Sequence, residues 1–316
     1  FFKLKNLLKK QNHISVYTIA FGPKLMEGKN YTILKETNFL FLRHFWRIFL
    51  NPKIYFELKN KIDKINPDII HVHNINKYTI SLLKAIKGYK TIQTVHDYGL
   101  ICPTGWNVHN NLSPCATGLS WKCALKHKRN YSWHIYLSQL YFFRKRNKIL
   151  KNTIDRFITL SIPLKRYLIK NNFKNVIFIP NFLDKKHDKP QYSEINQNQI
   201  LYIGRLEKNK GVHLLIESLK DVAKIKPEVI LKIAGVGKEK QNLINMVKKY
   251  KLEENVYFLG WVDEVYTLYK ESISVIIPSI CMENLPITVQ EAMWYYRPVV
   301  GSNRGGIKWL IKNNET

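Results

Sequence analysis

Short apolar, β-branched runs alternate along the chain with segments whose apolar residues recur every three or four positions. The runs predict strands over Ile14–Ala20, Asp68–Val72, Thr91–Val95, Phe157–Leu160 and Val176–Ile179. A second set falls at Ile200–Ile203, Val229–Ala234, Val256–Leu259, Val275–Ile277 and Pro298–Gly301. The segments between them predict helices, among them Pro52–Ile65, Gly211–Ala223, Glu239–Tyr250 and Pro286–Tyr296. Strands that are apolar almost throughout, rather than at every second position, are buried on both faces. Their alternation with helices argues for parallel sheets covered on either side. Two such sets predict an α/β protein of two doubly wound, Rossmann-like domains, residues 1–180 and 181–316. The division falls near Pro180–Pro190, where a Pro-, Lys- and Asp-rich stretch interrupts the pattern. Ligands of open parallel sheets bind just beyond the carboxyl ends of the strands, and in a two-domain protein the crevice between the domains is the expected site. Polar residues at strand ends are therefore the first candidates for chemistry.

At roughly 150 residues per domain, 316 residues accommodate both. With 45% hydrophobic and 13% aromatic residues the chain is not a disordered basic tail. No apolar run approaches the roughly 20 residues that span a bilayer; the longest, Phe39–Leu50, is broken by Arg43, His44 and Arg47. Four unevenly spaced cysteines do not form a secreted disulfide framework, and a reducing cytoplasm is expected.

Charge changes the picture more. The net +28 is concentrated: residues 1–190 carry 34 Lys and Arg against 9 Asp and Glu, whereas residues 191–316 carry 17 against 14. Such a field attracts phosphates, anionic lipid or nucleic acid. No zinc-finger spacing, RRM-type aromatic octamer or helix-turn-helix pattern supports nucleic acid, which is not expected as a partner. Large aromatics do interleave with Lys and Arg in Phe39–Leu50 and Tyr131–Leu150. An amphipathic element of that kind sits at a headgroup boundary, where each Lys or Arg near an anionic leaflet contributes about 1 kcal/mol. The expectation is peripheral attachment to the inner face of the plasma membrane; a buried helix face with solvated lysines is the alternative.

In the second half, the strand Ile200–Ile203 runs into Gly204-Arg205-Leu206, and Lys210-Gly211 opens the next helix. A guanidinium fork and an ammonium at a strand end and a helix start suit a pyrophosphate; an exposed Arg and Lys on a plain turn is the alternative. There is no Walker loop. The strand Val229–Ala234 ends in Gly235-Val236-Gly237, half of a dinucleotide fingerprint, which lets backbone approach a ligand or the next helix. Glu283 falls in the loop after Val275–Ile277, Pro286 suits the first turn of the following helix, and Glu291 lies one turn further in. The amides around Asn284, Leu285 and Ile287 would be positioned to meet a phosphate, and a carboxylate in such a cleft accepts sugar hydroxyls.

The series Gly204-Arg205-Leu206-x3-Lys210-Gly211, Gly235-x-Gly237, Val256-Tyr-Phe-Leu-Gly260 and Glu283-x7-Glu291, in that order, resembles the retaining glycosyltransferases of family 4, which have the GT-B fold of two facing Rossmann-like domains. The likeness covers residues 66–316 and extends loosely over 1–65. It implies a sugar transferred from a nucleotide-sugar, UDP- or GDP-linked, to a hydroxyl with the α configuration retained and no catalytic metal or other cofactor. Arg205 and Lys210 would bind the donor diphosphate, with Gly235 and Gly237 beside it. Glu291 would hold the ribose and Glu283 the donor sugar, helped by amides at Asn284, Leu285 and Ile287. The region Gly260–Val262 would flank the base, and Asn181 matches the family's entry into the second domain. His96, after the strand Thr91–Val95, would face the donor sugar and orient it; a capping His96-Asp97 pair is the alternative. His71 and His73, in Pro67-Asp-Ile-Ile-His-Val-His-Asn74, would be structural or acceptor-side. The basic half points to a lipid-linked or glycan acceptor in cell-envelope polysaccharide or glycolipid assembly.

The sequence departs from the family at Phe182 and Tyr296, where glycines are usual. It also lacks the Gly-rich loop after the first strand and the final elements past Thr316, implying a fragment trimmed at both ends. Cys102, Cys115, Cys123 and His127 form a Cys3His set at loose spacing, a weak candidate for structural zinc against thiols that are single or paired. Two readings compete with glycosyl transfer: a sugar phosphorylase of the same fold, and a basic membrane- or nucleic-acid-binding protein with a decayed site.

Overall fold

The computed structural model describes residues 2–11, 13–21, 31–34, 49–73, 79–102, 105, 107–109, 113, 115, 133–183 and 196–313. The chain divides into two compact units: Phe1–His96 with Lys128–Thr159 and Asn172–Ile177, and Asp97–His127 with Leu160–Asn171 and Phe178–Thr316.

The first unit begins with helix α1 (Phe2–Lys9) and a two-stranded parallel pair, β1 (Thr18–Phe21) and β2 (Tyr31–Leu34). Helix α2 (Pro52–Ile65) starts where Asn51 accepts the amide of Ile54 and Pro52 occupies the first turn. It buries Ile54, Leu58 and Ile62, spaced four apart so that they share one face. Asn66 ends it in the left-handed conformation. Strand β3 (Ile70–His73), helix α3 (Thr79–Ala85), strand β4 (Thr91–Val95), helix α4 (Trp133–Thr153), strand β5 (Arg156–Thr159) and strand β6 (Val176–Phe178) follow, while helix α5 (Ile162–Lys170), between β5 and β6 in the chain, is part of the second unit. The sheet order is β3-β4-β5-β6, with β3, β4 and β5 paired parallel.

The second unit carries strands β7 (Asn196–Ile203), β8 (Ile230–Ala234), β9 (Val256–Gly260), β10 (Ser272–Ile277) and β11 (Val299–Gly301). They are joined by helices α6 (Val212–Ile225), α7 (Lys240–Lys249), α8 (Tyr266–Glu271) and α9 (Ile287–Trp294), and α10 (Gly305–Leu310) follows β11. All five strands are parallel, in the order β11-β10-β7-β8-β9. This is the doubly wound arrangement, in which the winding direction reverses between β7 and β10. Tyr202, Leu231 and Ile233 pack under α6 and α7 through Leu215, Ile216, Leu219, Leu243 and Val247. On the opposite face Leu201 and Val275 pack with Tyr269, Val289, Ala292 and Ile307 of α8, α9 and α10. Leu201 and Tyr202 thus serve opposite layers, which is why the strand reads as continuously apolar.

All ten expected strands are present, most with shifted ends. Strand β7 begins at Asn196, four residues before the apolar run, because Gln199 is buried and satisfied: its Nε2 donates to Ser272 Oγ at 3.0 Å, and Ser272 Oγ donates to the Leu268 carbonyl at 2.7 Å. Strand β1 occupies Thr18–Phe21 rather than Ile14–Ala20, and β2 carries no signal that the pattern singled out. Of the Pro180–Pro190 stretch, residues 184–190 lie outside the described residues.

Candidate functional site

The loops leaving β7 and β10 meet at the reversal point of the second sheet. After β7 the backbone makes a 3-10 turn at Lys208–Lys210, and the Asn209 carbonyl accepts the amides of Ile280 and Cys281 at 2.9 and 3.2 Å. Gly211 turns with φ of 73° and sits so close to the next loop that a Cβ would lie 2.0 Å from the Pro278 carbonyl oxygen. These contacts aim Lys210 at Glu283: Nζ donates to Oε1 at 2.6 Å. Ser279 Oγ donates to the same oxygen at 2.8 Å and the Cys281 thiol at 3.6 Å. Oε1 is thereby saturated, while Oε2 has no partner among the described residues and is the oxygen left for a ligand. Burial, followed by the Glu283 charge, pushes the Cys281 thiol up to about 12, so it stays protonated and donates.

Gly305 and Gly306 seat the Glu283 loop against α10, a Cβ on Gly305 reaching to 2.4 Å from the Glu283 carbonyl oxygen. The Gly306 amide donates to the Glu283 carbonyl at 2.7 Å, and a Cβ on Gly306 would lie 1.6 Å from the Asn284 carbonyl oxygen. Asn284 is buried and its Oδ1 accepts from Ser161 Oγ at 2.6 Å, so that side chain is committed to structure. Leu285 is buried as well, which leaves its backbone amide as the group that can meet a ligand. Pro286 stands just before α9, at its N-cap, and Ile287 opens the helix. Glu291 follows one turn on, its Oε2 accepting from Tyr269 OH at 2.8 Å; burial, with the Glu291 charge adding to it, raises the Tyr269 phenol well above its ordinary range, keeping it a donor. Gln290 donates to the Asn181 carbonyl at 3.2 Å.

Arg205 stands apart from this cluster. Its guanidinium is exposed and pairs with Glu207 Oε1 at 2.7 Å, while Tyr202 OH donates to its carbonyl. Gly235 and Gly237 lie against the same strand end: a Cβ would approach the carbonyl oxygens of Gly204 and Leu206 to 1.9 and 2.2 Å. Their visible requirement is close loop-to-loop approach. Sequence reasoning missed Ser279, Cys281 and Tyr269. Their polar atoms matter only because the fold turns them onto Glu283 and Glu291, and nothing in their spacing marks them.

In the first unit, His71, His73 and His96 converge at the carboxyl ends of β3 and β4. His73 Nδ1 and His96 Nε2 share a hydrogen bond of 2.8 Å, and His71 Nε2 and Thr94 Oγ1 one of 2.7 Å. The His71 and His73 rings lie 4.1 Å apart. Asp97 takes the capping part instead, accepting the Gly99 amide at 2.7 Å. Burial is the larger cause, and the neighbouring imidazoles the smaller, that lower His71 to about 4 and His73 to about 3. A His whose folded pKa lies below its unfolded value of about 6.5 binds fewer protons folded than unfolded between the two values. Stability is therefore intact above pH 6.5 and is lost as pH falls towards 4. Thermal unfolding between pH 7.5 and 4.5 should show a falling midpoint, and His71→Phe should flatten the slope; an unchanged slope in the variant would contradict this origin.

The basic aromatic element is described in part. Phe143 is buried with the Arg146 guanidinium 4.1 Å from its ring centre, whereas Tyr141 and Phe49 are exposed and share the Lys145 ammonium at 5.7 and 5.5 Å. Residues 35–48 and 116–132 lie outside the described residues, and with them Cys123 and His127. Cys102 and Cys115 are buried. Among the described residues no group of three or more His, Cys, Asp or Glu could hold a metal ion, and no helix is long and apolar enough to cross a membrane.

Two parallel α/β units, one with a Lys-Glu pair across its reversal point and a second Glu on the adjoining helix, define a doubly wound α/β class of fold, which takes ligands at the carboxyl ends of its strands. The comparisons narrow it. Residues 3–187 match the family model described as Glycosyltransferase Family 4, and residues 184–316 the model described as Glycosyl transferases group 1. The first match spans more than half of the chain, and the protein belongs to this family of glycosyltransferases. An uncharacterized glycosyltransferase of Haemophilus influenzae is 33% identical over 168 residues, 52% of this chain and 46% of the relative. The O-antigen biosynthesis glycosyltransferase WclY of Escherichia coli is 30% identical over 173 residues, 54% of this chain and 47% of the relative. The chain spans about half the length of these curated relatives. Among solved structures, HepE of Anabaena with UDP and glucose aligns at a TM-score of 0.64 and 19% identity, over 90% of this chain and 70% of that one. Staphylococcus aureus TarM, in complex with UDP, Fondaparinux and alpha-GlcNAc-glycerol, aligns at 0.60 and 20%, over 81% and 46%. The fold class is GT-B.

Proposed function

We propose that the protein is a retaining glycosyltransferase that moves a sugar from a UDP- or GDP-sugar to a hydroxyl of a lipid-linked or glycan acceptor in cell-envelope polysaccharide or glycolipid assembly. The observation that carries the reading is the Lys210–Glu283 bond at the reversal point of the second sheet, where open α/β sheets take their ligands. Without donor, the Lys210 ammonium is neutralised by Glu283. A donor diphosphate would exchange with that carboxylate on the same ammonium, and Glu283 would turn to the hydroxyls of the sugar. Charge growing on the departing diphosphate would be met by Lys210, by Arg205 once it leaves Glu207, and by the amides of Leu285 and Ile287 at the start of α9. Glu291, held by Tyr269, would accept the ribose hydroxyls. His96 takes the sugar-orienting part. These cations and amides do the electrostatic work without a catalytic metal.

The similarity to an O-antigen transferase, and the UDP in HepE and TarM, support the donor class and the polysaccharide setting. The basic first 190 residues and the exposed Phe49–Lys145–Tyr141 group support a lipid-linked acceptor at the inner leaflet, with the protein peripheral and cytoplasmic.

Thermal unfolding with UDP, GDP, ADP and phosphate tests the reading. A ligand at about 100 times its dissociation constant adds about 2.7 kcal/mol, a shift of several degrees. The expected result is a shift with UDP or GDP that Glu291→Ala abolishes and Tyr269→Phe, which keeps the carboxylate, retains. Equal shifts in wild type and Glu291→Ala would sink the assignment, and a response to phosphate alone would favour a phosphorylase.

A further inference from the structure

We propose that His73 is a positioning residue for His96, holding its ring and selecting its tautomer; this rests on the sugar-orienting role given to His96 above. Parallel pairing sets His71 opposite Ile92 and His73 opposite Thr94. Side chains two apart on a strand share a face, so His71, His73, Thr94 and His96 form one row, and the contacts follow it. Thr94 Oγ1 bonds His71 Nε2 at 2.7 Å, the His71 ring covers His73 at 4.1 Å, and His73 Nδ1 bonds His96 Nε2 at 2.8 Å.

A hydrogen bond between two ring nitrogens needs one proton. If His73 Nδ1 carries it, His96 Nε2 is bare and His96 Nδ1 bears the other hydrogen. If His96 Nε2 carries it, His96 Nδ1 is the acceptor. The tautomers of the two rings are therefore tied, so the face of His96 that donates follows the nitrogen of His73 that carries the hydrogen rather than being set by solvent alone. His71 keeps the relay in register by filling the far side of His73 and taking its own bond from Thr94.

The row is a poor solution to packing alone. Burial depresses His71 and His73 well below their ordinary value, which measures a cost that Val or Leu at the same positions would not incur. What three imidazoles supply and aliphatic residues do not is a fixed proton position.

Two readouts on the whole protein test this, one independent of catalysis. The first is the nitrogen spectrum of His96 in protein labelled with 15N at its histidine rings, for wild type, His73→Phe and His73→Asn, with His96→Gln used to assign the signals. The second is hydrolysis of UDP-glucose and GDP-mannose. Wild type should show His96 in one neutral tautomer. His73→Phe keeps an aromatic ring and removes the bond; it should give tautomer-averaged His96 signals and a kcat lower by about 10-fold or more, with donor KM within about twofold. His73→Asn, whose amide reaches the place of Nδ1, should restore a single tautomer and part of kcat. A single unchanged tautomer in His73→Phe would overturn the proposal, as would a loss seen in KM alone. If wild type hydrolyses neither donor, it is the choice of these two donors that fails, and the spectra by themselves still decide whether His73 fixes His96.

Discussion

Lys210→Met should lower turnover of whichever nucleotide-sugar the wild type uses by about 10²–10³, the usual effect of deleting one group that meets charge in the transition state. The methionine keeps the aliphatic stem in place and removes only the ammonium that donates to Glu283 Oε1 at 2.6 Å. Both side chains are largely withdrawn from water, at 20% and 16% exposure, so the carboxylate left behind is not simply resolvated. It keeps the Ser279 hydroxyl at 2.8 Å, which limits the damage to folding. Lys210→Arg should recover little, because a planar fork is a poor substitute for a compact ammonium that meets the Glu283 carboxylate at 2.6 Å and would also meet the donor diphosphate. Because Lys210 and Glu283 share a hydrogen bond of 2.6 Å, Lys210→Met combined with Glu283→Gln should lose much less than the product of the single losses. Steady-state kinetics on the four proteins checks both points. Wild-type turnover in Lys210→Met, or strict multiplication in the double variant, would remove the pair from the transfer step.

Gly306→Ala should lower the unfolding midpoint by several degrees and weaken nucleotide binding with it. An added Cβ would lie 1.6 Å from the Asn284 carbonyl oxygen and 2.6 Å from its carbon, both backbone atoms that no rotamer change can move. The strain is released only by shifting α10 away from the Glu283 loop, which breaks the 2.7 Å bond from the Gly306 amide to the Glu283 carbonyl. Overpacking of this kind costs about 1–3 kcal/mol, occasionally more, or roughly 2–4 °C for each kcal/mol in domains of 150–250 residues. Gly88→Ala is the useful comparison for space: nothing lies within 4 Å of its added Cβ, although its φ of 97° carries its own strain. Thermal scans with and without UDP and GDP separate the two effects. A Gly306→Ala protein with wild-type stability would mean that the loop and α10 are not held as tightly as the contact implies.

The strands and the helices named from the pattern alone were legible because burial on both faces leaves an unbroken apolar record. Leu201 and Tyr202 face opposite layers, and both must be apolar. Where the physics differs, the record is silent. The start of β7 is polar because Gln199 finds its partner in Ser272, seventy-three residues away. The places of the candidate residues along the elements were legible too. Glu283, Glu291 and Lys210 stand at or near strand ends and helix starts, places that local patterning identifies. His71, His73 and His96 lie in a row because H-x-H on one strand pairs in register with T-x-H at the end of the next. That follows from a period of two once the register is known, and the register is not a local property.

The sequence by itself determined the class of fold, the alternation of elements and the ends of strands at which chemistry could sit, since each depends on residues within a turn or two of one another. Only the tertiary structure decided which of those ends meet. The partnership of Lys210 with Glu283, the donors that saturate one carboxylate oxygen and leave the other, and the bond from His73 to His96 all join residues at least twenty-three positions apart or depend on such a meeting. A hydrogen bond is short and directional, so it exists only when the whole path of the backbone between two groups brings them within about 3 Å.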